Sequence, residues 1–150
     1  MKHFANFLTL SVFTILASAF AFSAGTVVWT GGTSTEWSTA ANWTRVSGTP
    51  SKPPSSADDV QIGQNDITNQ PSITSTTGAV TIKSLTYGST AASTLTITNG
   101  GTGSLTITGD LAMTQSAVSV THTINLNDRS LTVQGAITGI GATSGNISAS

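Results

Sequence analysis

The sequence predicts an all-β protein, and within that class a parallel β-helix, in which each turn of chain adds one strand to each of several stacked sheets. Three segments begin at Val80, Leu105 and Leu131, so their starts are almost evenly spaced. Each opens as apolar-Thr-apolar, bends, and continues into a second short strand. No stretch between them is long enough for a crossover helix. A fixed period in the twenties is typical of a solenoid.

The strands themselves are predicted by alternation of apolar and polar residues. Alternation with period two indicates strands that have one buried and one wet face. Thr, which is favoured on exposed strand surfaces, fills many of the wet positions. A turn of about 25 residues traces a path of roughly 80 Å, enough for two or three short sides, and such turns bury their apolar edges only by stacking. The alternating pairs are Val80 and Ile82, Leu95 and Ile97, Leu105 and Ile107, Leu111 and Met113, and Leu131 and Val133.

An antiparallel β-sandwich is the alternative fold. Short strands at regular, short intervals also fit a sandwich, and Leu85, Leu95 and Leu105 are evenly spaced. The β-helix is preferred because the repeat carries strand, bend and strand together. Dipeptides typical of tight hairpins are also scarce.

Residues 1–24 are predicted to be a signal peptide. Lys2 gives a weakly basic start, an apolar run covers residues 7–21, and Ala19-Phe20-Ala21 is a small-residue cleavage site. Ala21-Phe22-Ser23 is a second choice. The run is short for a membrane span of about 20 residues. We therefore expect export, a secreted or cell-surface location, and no stable membrane span after cleavage.

The mature chain is predicted to have two parts. Residues 25–78 form an N-terminal cap with the first strands, and residues 79–150 form β-helix turns that we expect to continue past Ser150. In the cap, Ser34 or Thr35 is expected to begin one or two helical turns over residues 36–43. Such a helix would place Trp37, Ala40 and Ala41 on one side.

Trp29, Trp37 and Trp43 are the candidate site residues. Each indole carries about 150 to 250 Å² of buriable surface, and the end of a β-helix exposes strand edges that must be covered. The three side chains are therefore predicted to form a structural cap or, as the alternative, an exposed glycan contact.

Composition narrows the function classes. Only 7% of residues are charged and the net charge is −1, so no basic stripe for nucleic acid is present. The chain has no Cys and two His, of which His3 lies in the leader. No phosphate-binding loop, dinucleotide fingerprint or nucleophile elbow occurs. We predict no catalytic residues, no cofactor and no metal, and hence a protein that is not an enzyme.

His122 and the adjacent pair Asp58 and Asp59 are predicted to have structural roles and no catalytic role. His122 shares its parity with Val118, Val120, Ile124 and Leu126 and is predicted to be a buried structural histidine. Asp58 and Asp59 are adjacent on a strand, so their side chains are predicted to point to opposite faces. They do not form an acid–base pair.

A family resemblance rests on the cap. The chain resembles the N-terminal region of large secreted bacterial β-helix proteins, namely autotransporter-type passengers and Bacteroidetes-type secreted surface proteins. The resemblance implies a right-handed coil and a surface or secreted role, without a shared set of catalytic residues. The segments that carry it are Val28–Gly32, Glu36-Trp37, Ala40–Trp43, Pro53-Pro54 and Ala57–Ile62, followed by Ser84–Thr86 and Leu105–Leu111.

The function predicted from these features is that of a non-catalytic, exported structural or adhesive β-helix segment. Its expected partners are extracellular glycans or host and matrix surfaces. Two alternatives are the N-terminal part of a polysaccharide-degrading β-helix enzyme and a small carbohydrate-binding module that uses the tryptophans.

Overall fold

The computed structural model describes residues 24–88, 92–97, 103–113, 121–139 and 145–148, with residues 145–148 described by their backbone alone. These residues are all-β, as predicted, with one 3-10 turn at Ala40–Asn42. The strands are β1 Gly25–Trp29, β2 Trp43–Gly48, β3 Asp59–Ile62, β4 Ser72–Ile73, β5 Ala79–Ile82, β6 Ser84–Tyr87, β7 Ser93–Ile97, β8 Ser104–Ile107, β9 Leu111–Met113, β10 His122–Asn125, β11 Leu131–Val133, β12 Ile137–Thr138 and β13 Gly145–Ser148.

The strands form three small sheets, and from β3 onward strands three apart in the chain are neighbours. Sheet A has the order β12-β9-β6-β3-β1-β2, sheet B the order β13-β10-β7-β4, and sheet C the order β11-β8-β5. Within sheet B and within sheet C, all neighbouring strands are parallel. Sheet A is mixed, because β1 and β2 are antiparallel. The antiparallel sandwich would need antiparallel neighbours throughout, and among the described strands only this pair has them.

The period seen in the sequence corresponds to the register of sheet C. Val80 pairs with Leu105, and Leu105 pairs with Leu131. Sheet B is less regular, because Ser72 pairs with Thr96 but Ser93 pairs with His122. Loops of different length therefore separate strands that still align.

Alternation places one face of each strand in a single core. Strands β3, β6, β7 and β8 each alternate half-buried and buried residues. The inward residues are large and aliphatic for the most part, and the outward ones are mainly Ser, Thr, Asp and Gln. The core of fully buried side chains includes Trp29, Trp37, Trp43, Val60, Ile62, Ile73, Ile82, Leu85, Tyr87, Leu95, Ile97, Leu105, Ile107, Leu111, Met113 and Ile124.

The helix predicted over residues 36–43 is wrong in extent. The chain turns at Trp37 and Ser38 and forms the 3-10 turn at Ala40–Asn42, whose N-cap residue is Thr39 and has no side-chain cap. Ala40 and Ala41 are exposed, whereas Trp37 is buried. The N–H groups of Thr33 and Ser34 bond the Asn42 side chain. This local bonding competes with helix formation.

The predicted boundary at residue 79, between the N-terminal cap and the later turns, does not coincide with a break in strand pairing. β3 and β4 lie before it, yet they pair with β6 and β7 in the same sheets as the later strands. Nearly all of the predicted signal peptide lies outside the described residues.

Candidate functional site

The three tryptophans form one cluster next to the start of sheet A. Trp29 ends β1 and Trp43 begins β2, and the two residues pair directly across the antiparallel ladder. Trp37 lies in the loop between these strands, where its backbone N–H donates to the carbonyl of Ser72 at 3.0 Å. Antiparallel pairing and this single backbone bond therefore bring together three side chains that are separated in sequence.

The rings pack mostly edge to face. Trp43 lies between the other two, with ring centroids 4.9 Å from Trp29 and 4.7 Å from Trp37 and interplanar angles of 81° and 73°. Trp29 and Trp37 are stacked with their centroids 6.4 Å apart. Edge-to-face contacts at such separations are favourable beyond the area that they bury.

Burial and hydrogen bonding determine whether the indole rings and their N–H groups are accessible to a ligand. The side chains are at most 1% exposed, so no indole face is open for stacking against a sugar ring. Trp29 Nε1 donates to the carbonyl of Asn69 at 2.7 Å, and Trp43 Nε1 donates to the carbonyl of Trp37 at 2.8 Å. Trp37 Nε1 is buried and has no hydrogen-bond partner in the described structure.

Asn42 holds the loop that carries Trp37, and the sequence analysis missed it. Its Oδ1 accepts the N–H groups of Thr33 and Ser34 at 3.0 and 2.9 Å. Its Nδ2 donates to Ser34 Oγ at 3.0 Å and to the Glu36 carbonyl at 2.9 Å. The side chain is fully buried, so every one of these bonds replaces contact with water. Sequence signalled only an Asn in a turn-forming stretch.

Asp58 is a second buried anchor. Its Oδ2 accepts four hydrogen bonds, from the backbone N–H and the hydroxyl of both Ser51 and Ser55, at 2.7 to 3.3 Å. Burial alone would raise the pKa of Asp58, but the bonds from Ser55 and Ser51 outweigh it and hold the pKa below its ordinary value. Asp59 points the other way, toward Lys83 and Ser84, so the predicted opposition of the two carboxylates is observed.

The Asp58 geometry predicts acid sensitivity. A carboxylate whose pKa is lowered by folding stabilises the fold above its unfolded pKa of about 3.9, and that contribution is lost as the pH falls through the folded value. We expect the free energy of unfolding of the wild-type chain to decline below about pH 4. Asp58→Asn should cost about 2 kcal/mol at pH 7, since the donors lose a charged acceptor, and should flatten the decline.

Urea unfolding followed by circular dichroism at several pH values measures both effects. The exposed Asp66 supplies the control, because Asp66→Asn should follow the wild-type pH curve. An Asp58→Asn variant with an unchanged acid decline would contradict the assignment.

His122 is buried, as predicted, at the start of β10. Its Nδ1 lies 2.9 Å from Ser93 Oγ, and its ring lies 5.0 Å from that of Tyr87. Ile124 on the same face is also fully buried, whereas Val118 and Val120 lie outside the described residues. Because the Ser93 and His122 side chains are at most 2% exposed, their contact is closed to a substrate from solvent.

Comparison of the chain with family models, with curated proteins and with solved structures found no match. Among the described residues, no group of three or more His, Cys, Asp or Glu side chains could hold a metal ion. In the same part of the chain, no helix has the length and hydropathy to cross a membrane.

Proposed function

We propose that the chain is a non-catalytic structural or adhesive segment of an exported bacterial protein, wound as a right-handed parallel β-helix. The observation that carries the proposal is that, from β3 to β10, each described strand pairs in parallel with the strand three positions further along the chain. A chain that returns repeatedly to the same three sheets extends the molecule along one axis. Length and a continuous outer face are what a solenoid supplies to a surface protein.

The outer faces suit contact with a hydrated environment. Thr81, Thr106 and Thr132 pair in register across sheet C, and all three side chains point away from the core. Hydroxyl-bearing β-branched residues are stable on such strands without charge, which agrees with the low charged fraction of the chain.

The tryptophan cluster is proposed to be the cap of this coil. β2 is the outer strand of sheet A, and a β-bulge at Val46 on β2, opposite Thr26 and Val27 of β1, interrupts the register. Bulges at sheet edges discourage pairing with other chains. The three indoles behind this edge close the core at the same end.

Export is tested with the whole chain in a bacterial host. We expect a mature protein outside the cytoplasm whose mass corresponds to cleavage after Ala21 or Ser23. Leu16→Arg places a charge in the apolar run and should leave the full-length protein in the cytoplasm. An uncleaved cytoplasmic wild-type chain would contradict the proposal, and an experimental structure of the mature chain would test the handedness of the coil.

A further inference from the structure

A groove lined mainly by polar residues lies on the outer face of sheet A. Its volume is about 420 Å³, within the range of about 300 to 1,000 Å³ that is typical of small-ligand sites. It spans strands β3, β6 and β9. The lining residues are Asp59, Lys83, Ser84, Thr86, Gly109, Asp110 and Ala112.

Strand register brings these residues together. Asp59 pairs with Ser84 in the ladder between β3 and β6, and Thr86 pairs with Ala112 in the next ladder. Asp110 occupies the position before Leu111, beside Ser84. Neighbouring strands are about 4.8 Å apart, so the backbones of Asp59 and Asp110 lie about 10 Å apart across the groove.

Glycines at the corner of the coil let successive turns of backbone pack closely beside the groove. Lys83, Gly109 and Gly135 occupy the same corner in three successive turns. The Gly109 N–H donates to the Lys83 carbonyl at 2.7 Å, and the Gly135 N–H donates to the Gly109 carbonyl at 3.0 Å. A Cβ atom on Gly109 would lie 2.9 Å from the Lys83 oxygen, and one on Gly135 would lie 2.4 Å from Asp110 Oδ1. Glycine at both positions therefore permits close backbone packing next to Lys83 and Asp110.

The polar groups in the groove are not all used within the protein. Asp59 accepts from Lys83 Nζ at 2.9 Å and from Ser84 Oγ at 2.6 Å. Asp110 Oδ1 accepts the Ala136 N–H at 2.8 Å, which leaves Oδ2 as an acceptor for a ligand. Lys83 retains two further N–H donors, and Thr86 contributes a hydroxyl.

We propose that this groove binds a neutral saccharide. Sugar hydroxyls both donate and accept hydrogen bonds, and the groove presents a carboxylate acceptor, an ammonium donor and a hydroxyl side by side. Two carboxylates and one ammonium leave a net negative charge, which disfavours uronic acids, sialic acids and phosphates. Five of the seven lining residues carry polar side chains, which offer hydrogen-bonding partners to the hydroxyls of a sugar. The inference deepens the proposed adhesive role and rests on it.

Binding is tested on the mature chain by NMR titration with neutral tetraoses of glucose, mannose, galactose and xylose, and with tetragalacturonic acid. At millimolar concentrations at least one neutral tetraose should shift the amides of Ser84, Thr86 and Ala112, and tetragalacturonic acid should not. Asp110→Asn keeps the oxygen that accepts from Ala136 but removes the free acceptor. It should weaken affinity about tenfold.

Ala112→Gln fills the groove from an outward position and should abolish binding. Thr106→Gln on sheet C is the matched control and should leave binding unchanged. Three results would overturn the proposal: no shift with any neutral tetraose, equal loss in all three variants, or shifts confined to the smaller hollow of about 200 Å³ beside Trp37. Failure of export would leave these readouts intact, so the two proposals fail separately.

Discussion

Trp43→Ala is expected to remove about 3 to 5 kcal/mol of stability, the range for deleting a large aromatic side chain from a core. Trp43 is at most 1% exposed and contacts the rings of both Trp29 and Trp37, so its removal leaves a cavity and ends two edge-to-face contacts. Domains of this size are stable by about 5 to 15 kcal/mol. The variant should therefore unfold at much lower urea concentration, as measured by circular dichroism.

Phenylalanine substitutions separate ring packing from hydrogen bonding. Trp43→Phe leaves the Trp37 carbonyl without its 2.8 Å donor, whereas Trp37→Phe removes an indole N–H that has no partner in the described structure. Trp43→Phe should therefore cost about 1 kcal/mol more than Trp37→Phe. The exposed Val46, at 58%, is the control, and Val46→Ala should change stability by no more than about 0.5 kcal/mol.

A Trp43→Ala variant with near wild-type stability would contradict the proposed cap role of the cluster. The glycan interpretation of the cluster makes the opposite prediction, because an exposed platform can lose an indole without loss of stability. Stability and saccharide binding measured on the same variant therefore distinguish the two roles assigned to these residues.

Sequence periodicity predicted the strands best where the loops have constant length. Val80, Leu105 and Leu131 are almost evenly spaced in the chain and do pair in register. The step from β1 to β3 is longer, with Thr26 opposite Asp59, because β2 and the loop after it intervene. A scan for one fixed period cannot find strands whose spacing is set by an inserted hairpin.

The polar anchors were harder to foresee. Asn42 acts through four bonds to residues that precede it in the same loop, and these depend on how the loop folds back. The groove could not be predicted from the sequence for a related reason. Asp59, Ser84 and Asp110 are far apart in sequence and become neighbours only through strand register. Alternation predicts which face a residue occupies, but register decides which residues share that face.

Asn42→Ala is expected to cost about 3 kcal/mol, although it deletes only a small amide, because several groups lose their partner at once. The N–H groups of Thr33 and Ser34 lose their acceptor, whereas the Glu36 carbonyl loses one donor and keeps the N–H of Thr39. Each group left unsatisfied costs about 1 to 3 kcal/mol unless water enters. Asn42→Asp retains the acceptor but loses both donors and buries a charge, so it should also destabilise the chain. Asn65→Ala, at an exposed position, is the control and should have little effect.

The stability lost in Asn42→Ala should also be energetically coupled to the tryptophan cluster. Asn42 Nδ2 bonds the Glu36 carbonyl, next to Trp37, and its own carbonyl accepts the N–H of Thr30, next to Trp29. Residues in one network show coupling of about 0.5 to 3 kcal/mol in double-mutant cycles. The double variant Asn42→Ala/Trp37→Ala should therefore lose less stability than the sum of the single variants. Strict additivity would mean that Asn42 orders its own loop without positioning the indoles, and the proposed cap would then depend on ring packing alone.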